Sequence, residues 1–167
     1  MKLFSANIED LRTLYITNLR KALDMEQSIT KALPKLIDNA TDPELASALQ
    51  NHLGETEGHV SKVQRLLEIN TEDNSSETCK AIDGLTTEAS DSIKDAADPA
   101  IRDIAIIGCA QQVEHHEIAV YGTLRHWAEI LGLSGDADVL EAIETDEIKA
   151  DEMLTEISNT VNFQAAL

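Results

Sequence analysis

A chain of 167 residues with 31 acidic and 13 basic side chains carries a formal charge of −18. Such a polyanion is repelled by DNA, RNA and anionic membrane surfaces, and no apolar run approaches the roughly 18 residues of a bilayer span. The segment MKLFSANIEDLRTLY lacks a signal-peptide core, and 43% hydrophobic residues exclude a disordered polyelectrolyte.

One Trp, two Tyr and two Phe against abundant Ala, Leu and Ile favour helices over strands. The first long helix is expected over 7–39, with Asn7 as its cap. Its apolar positions Ile8, Leu11, Tyr15, Leu19, Ala22, Ile29, Leu33 and Leu36 are spaced mostly three and four apart. Thr41-Asp42-Pro43-Glu44 opens the second, over 43–69, with a capping residue, then Pro, then acid. Residues 70–76 (NTEDNSS) break the pattern, and a weaker, short helix spans 77–95. Asp98-Pro99 starts the third long helix, 99–131, and a turn over Gly132 to Gly135 leads into the fourth, 136–161.

The short joints make two antiparallel helix pairs, while residues 71–98 suffice to cross the length of a bundle. The expected architecture is all-α: one ferritin-like domain over 1–167, a four-helix bundle with one long crossover containing the additional short helix. Cys79 and Cys109 form no disulfide framework. Cys109, within IAIIGCAQQV, reads as a small buried hydrophobe, and a reducing, cytoplasmic location is expected.

Several acids fall in core register. Glu26 lies on the seam of Ala22, Ile29 and Leu33. His52, Glu55 and His59 lie on that of Leu45, Leu49 and Val63. Glu114 and Glu117 follow the uncharged run Ile104 to Val113, and Glu147 and Asp151 share a stripe with Leu140, Ile143, Leu154 and Ile157. A buried unpaired carboxylate costs several kcal/mol, and Arg20, Arg65, Arg102 and Arg125 do not cluster in these stripes. Two cations resolve the conflict, and a donor set of carboxylate and imidazole suits iron or manganese. Taken singly, each acid or histidine has a plainer reading as a solvated or hydrogen-bonded residue. Recurrence on all four helices favours metal. His115 and His116 point about 100° apart, so at most one can join the glutamates between which they lie. Asp136, Asp138 and Glu147 mimic a calcium loop, but Leu140 and Glu141 occupy the fifth and sixth positions, so that loop cannot turn.

The stretches DMEQSITKALPKL (24–36), HLGETEGHV (52–60), QQVEHHEIAVYGTLRHWAEILGL (111–133) and DEIKADEMLTEI (146–157) resemble the YciF-type bacterial stress proteins, which are ferritin-like and similar to rubrerythrin. The resemblance covers the whole chain. It implies a homodimer and a dinuclear centre of two Fe or Mn ions per chain. Carried over, Glu26 is the first helix's ligand and Glu55 a bridge. Glu114 and Glu117 match the third helix's Glu-x-x-Glu, and Glu147 is the second bridge. Asp151 stands where the relatives usually have His, and His59 lies four residues after Glu55 rather than three. His52 is then an outer partner or a replacement ligand, and Tyr121 a relay or a core tyrosine. Trp127 and Leu131 are candidate dimer contacts.

The expected function is a dinuclear Fe or Mn carboxylate protein of stress defence with either O₂- or peroxide-reactive chemistry, as a di-iron or di-manganese oxidoreductase, or metal-handling chemistry. Because the chain holds no rubredoxin-like cysteine site, an external electron donor is expected. The alternative is a non-catalytic stress-response dimer whose metal is structural and which acts by binding a partner. Independently of both, the strong acidity suits a high-salt habitat.

Overall fold

The structure is a computed structural model that describes residues 8–165, with side chains over 8–161. Five helices follow in order: α1 (Leu11–Asn39), α2 (Pro43–Asn70), α3 (Lys80–Asp95), α4 (Pro99–Ile130) and α5 (Ser134–Ala165). Among the described residues there is no strand, and no helix is long and apolar enough to cross a membrane.

Helix starts follow from their caps. Asp42 accepts hydrogen bonds from the amides of Glu44 and Leu45, and Asp98 from those of Ala100 and Ile101, each ahead of a proline at the first helical position. The cap of α1 is Asp10, whose side chain accepts from the Thr13 amide at 2.7 Å; the expected cap, Asn7, lies outside the described residues. α3 begins three residues later than expected because α1 holds the chain before it extended. The Glu77 amide donates to the Arg20 carbonyl and the Cys79 amide to Asp24 Oδ2. α4 ends on Gly132, at φ 73°, where the Leu133 amide reaches the Ala128 carbonyl and the Gly132 amide the Glu129 carbonyl. α5 starts two residues before the expected Asp136.

The short joints fold α1 against α2 and α4 against α5. The two pairs meet through α1–α4 and α2–α5, while the crossover helix α3 lies against α1 and α4. This is the ferritin-like bundle with its long crossover. The core is aliphatic, with Leu19, Leu23, Leu45, Leu67, Ile106 and Ile143 all but inaccessible. Each such side chain contributes roughly 2 kcal/mol. Cys79 is buried, whereas Cys109, expected in the core, is only half-buried; both are free thiols. Trp127 and Leu131 pack partly against the core.

Each end of the bundle carries a buried aspartate. At one end Asp103 accepts from the Thr41 amide (2.8 Å), the Thr41 hydroxyl (2.6 Å) and the Asp42 amide (2.9 Å), locking α4 to the start of α2. At the other, Asp136 Oδ2 accepts from Tyr15 Oη at 2.8 Å and Asn70 Nδ2 at 2.6 Å, joining α5 to α1 and α2. Replacing Asp103 orphans donors as well as removing a charged acceptor. We therefore expect Asp103→Ala to lower stability in urea melts by about 3 kcal/mol, against about 1 kcal/mol for the exposed cap variant Asp98→Ala.

Candidate metal centre

Midway along the bundle, side chains from α1, α2, α4 and α5 converge. Glu26, His59, Glu114, Glu117 and Glu147 are each buried to at least 98%, and His52 to 93%. They form two donor groups within which the ligand atoms lie no more than 4.8 Å apart. His52, Glu114, Glu117 and Glu147 make one, and Glu26, His59 and Glu147 the other. Glu147 belongs to both.

The contacts are close without being hydrogen bonds. His59 Nδ1 lies 2.8 Å from Glu147 Oε1 and 3.8 Å from Glu26 Oε1, and His52 Nε2 lies 3.3 Å from Glu114 Oε1. Yet both nitrogens of His52, His59 Nδ1, both oxygens of Glu117 and of Glu147, and one oxygen each of Glu26 and Glu114 make no hydrogen bond. Among the described residues, the ion-pair partners of these glutamates are the two histidines alone. Native proteins rarely orphan buried polar atoms in such numbers. Lone pairs converging without donors suit cations, and two divalent ions would match four carboxylates in charge. The residues therefore fit the dinuclear centre that the resemblance implies.

Outside the centre, other groups orient its members. The Tyr121 hydroxyl, fully buried, donates to Glu26 Oε1. Asp146 Oδ2 lies 3.4 Å from His59 Nε2, so consecutive residues of α5 face the two nitrogens of one imidazole. Glu55 Oε2 lies 3.8 Å from His52 Nδ1.

The glutamate pair expected from α4, Glu114 and Glu117, is thus brought together with Glu26, Glu147 and His59. Glu55 is not. Its side chain is 55% exposed, because the inward stripe of α2 is Leu49, His52, Thr56, His59 and Val63, from whose centre position 55 is rotated by about 80°. His52 occupies the place expected of Glu55. Asp151 also stays out, held at the rim by Gln111 Nε2 at 3.1 Å with His115 Nε2 3.6 Å away. Neither histidine of the 114–117 run joins: His115 is exposed and His116 faces Cys79 Sγ at 3.9 Å. A groove of about 540 Å³ between α2 and α5 reaches His52 and Glu114 from the surface, past Gly54, Asp146, Lys149 and Met153.

Burial sets the protonation of the metal-free centre. Desolvation, reinforced by the charge of Glu147, pushes the Glu26 carboxyl up to about 8. The same causes raise Glu114 and Glu117 well above the carboxylate range. His52 is lowered by burial, whereas for His59 burial is outweighed by the adjacent Glu147 and the imidazole is raised. Above pH 4.5 the unfolded chain gives up carboxyl protons that the folded chain retains, so stability falls as pH rises towards 8. His59 acts in the same sense, since the stability from its raised pKa is present below 6.5 and lost above it; the lowered His52 opposes only below 6.5. In EDTA, unfolding free energy should therefore decline between pH 6.5 and 8, by up to about 1.4 kcal/mol per pH unit for each proton concerned, and melting temperature should fall with it. A flat or rising profile by circular dichroism would contradict this electrostatic picture.

A long-crossover bundle whose four main helices each supply carboxylate or imidazole to one buried centre defines a ferritin-like carboxylate–histidine protein. Residues 10–166 match the model of the family described as "Domain of unknown function (DUF892)", and the chain belongs to that family. It is 34% identical over 163 residues to protein YciF of Escherichia coli (strain K12), covering 95% of this chain and 97% of that one. The crystal structure of the E. coli stress protein YciF matches with TM-score 0.87 at 32% identity, over 92% of this chain and 97% of that one. YcfI of Rhodopseudomonas palustris matches with TM-score 0.88 at 38% identity, over 92% and 98%. Protein XCC3681 of Xanthomonas campestris, 24% identical with TM-score 0.74 over 92% and 94%, shares the fold.

Proposed function

We propose that the protein is a dinuclear Fe or Mn carboxylate protein that acts on O₂ or peroxide in stress defence. The observation that carries this reading is the place of Glu147 in both donor groups, which suits a carboxylate bridging two ions. Glu114, Glu117 and His52 would hold one ion, and Glu26 and His59 the other. Such a pair supplies redox chemistry that amino-acid side chains lack. The similarity to a bacterial stress protein supports the setting.

The chain's own residues prepare the centre. Tyr121 occupies one oxygen of Glu26 and leaves the second free. Asp146 takes the outer nitrogen of His59, which directs Nδ1 inward; Glu55 stands in the same relation to His52, at a longer distance. The groove gives water and peroxide a path to the His52–Glu114 edge.

Protein purified without chelator should hold two Fe or Mn per chain by elemental analysis. Glu147→Ala should lose both and with them the metal-dependent rise in melting temperature, whereas Glu55→Ala should still take up both ions, with weaker affinity. Absence of metal after anaerobic Fe(II) loading of the wild type would sink the reading. Adding O₂ or H₂O₂ to the reduced, loaded protein should develop near-ultraviolet charge-transfer absorption. A silent spectrum would favour a purely structural metal.

A further inference from the structure

A second space meets the centre from the side opposite the groove. It is an apolar pocket of about 30 Å³ between α1, α2 and α4, walled on the outside by the crossover helix α3. Ile29, Leu33, Leu49, Ala89, Ala110 and Val113 supply most of its surface, and His52 and Glu114 close its inner end. We propose that this pocket binds molecular oxygen beside the His52–Glu114 edge of the centre.

Size and chemistry both select the occupant. One water needs about 10–15 Å³, so the interior of this pocket, about 30 Å³, suits a molecule of two or three atoms. A buried water also needs two to four polar partners. The Thr86 hydroxyl on the pocket wall is engaged with the Ile82 carbonyl at 2.8 Å, and the Cys109 thiol is a weak partner at best. Water and hydrogen peroxide therefore find partners only at the inner end, on His52 and Glu114, whereas an apolar diatomic loses no hydrogen bonds on entering the apolar remainder. The groove on the other side carries Asn51, Glu55, Asp146 and Lys149 among its lining residues, so polar molecules find partners there.

Both spaces share Leu49, His52 and Glu114, and His52 meets them with neither nitrogen hydrogen-bonded. The edge is thus reached by polar molecules from one direction and by an apolar gas from the other. The small side chain of Ala89 leaves the pocket open, and a leucine there would fill it. The inference rests on the O₂-reactive reading for its purpose, but the pocket's occupancy can be measured without metal.

The test uses xenon, an apolar probe, on the metal-free full-length chain with ¹³C-labelled methyl groups. Xenon pressure should shift the Ile29, Leu33, Leu49 and Val113 methyl signals saturably, and Ala89→Leu should abolish those shifts. Ala32→Leu, on the α1 wall, is the second variant should the first fail to fold. Both variants are checked for a cooperative melt and for two metals per chain after loading. Absence of saturable shifts in the wild type, or their persistence in a folded, filled variant, overturns the proposal. Xenon binding in a chain that takes up no metal would uphold the pocket while ending the dinuclear reading. Metal uptake without xenon binding does the reverse.

Discussion

Four glutamate carboxylates withdrawn from water into one place, with only two imidazoles beside them, constrain everything else in this molecule. Burying even one such charge costs several kcal/mol, and here the charges repel one another as well. A metal-free chain meets that cost by keeping protons, which is why Glu26, Glu114 and Glu117 are all displaced upward. The mid-section of the bundle is therefore a place of conflict in the absence of cations. Functional centres commonly break the rules that the surrounding fold obeys.

Stability accordingly resides elsewhere. Above and below the centre the helices bury aliphatic side chains without polar atoms, and the two ends are closed by Asp103 and Asp136. Those aspartates differ from the central glutamates in how fully they are bonded: each accepts two or three hydrogen bonds from amides, hydroxyls or an amide side chain, whereas among the central four only Glu26 accepts one, from Tyr121. The same chemical group thus reinforces the bundle at its ends and strains it in the middle. The crossover adds a further asymmetry, since α3 covers α1 and α4 and leaves the α2–α5 face open as the groove.

Much of this was legible in the sequence. Asp42-Pro43 and Asp98-Pro99 marked helix starts because capping chemistry is local, and the long crossover followed from the spacing between them. Glu26, Glu114, Glu117 and Glu147 could be placed because aliphatic neighbours at three and four residues fix the inward side of their helices. Glu55 and Asp151 could not be excluded in this way. Each lies at the border of its stripe, where a few tens of degrees of rotation separate core from rim, and helix periodicity does not resolve that angle. The signal available for α2 was the pair His52 and His59, seven residues apart and thus nearly aligned on one face. The Asp103 and Asp136 closures link residues 62 and 121 positions apart and had no local signature.

The position of His59 has a mechanical consequence. Its ring stands on α2, and its two nitrogens face Asp146 and Glu147, neighbours on α5. Turning α5 about its axis, or sliding it along α2, cannot relax one contact without disturbing the other. The imidazole therefore acts as a key between the two helices that border the groove, and any widening of that mouth must pass through it. Opening at the surface and geometry at the centre are for this reason coupled through one side chain.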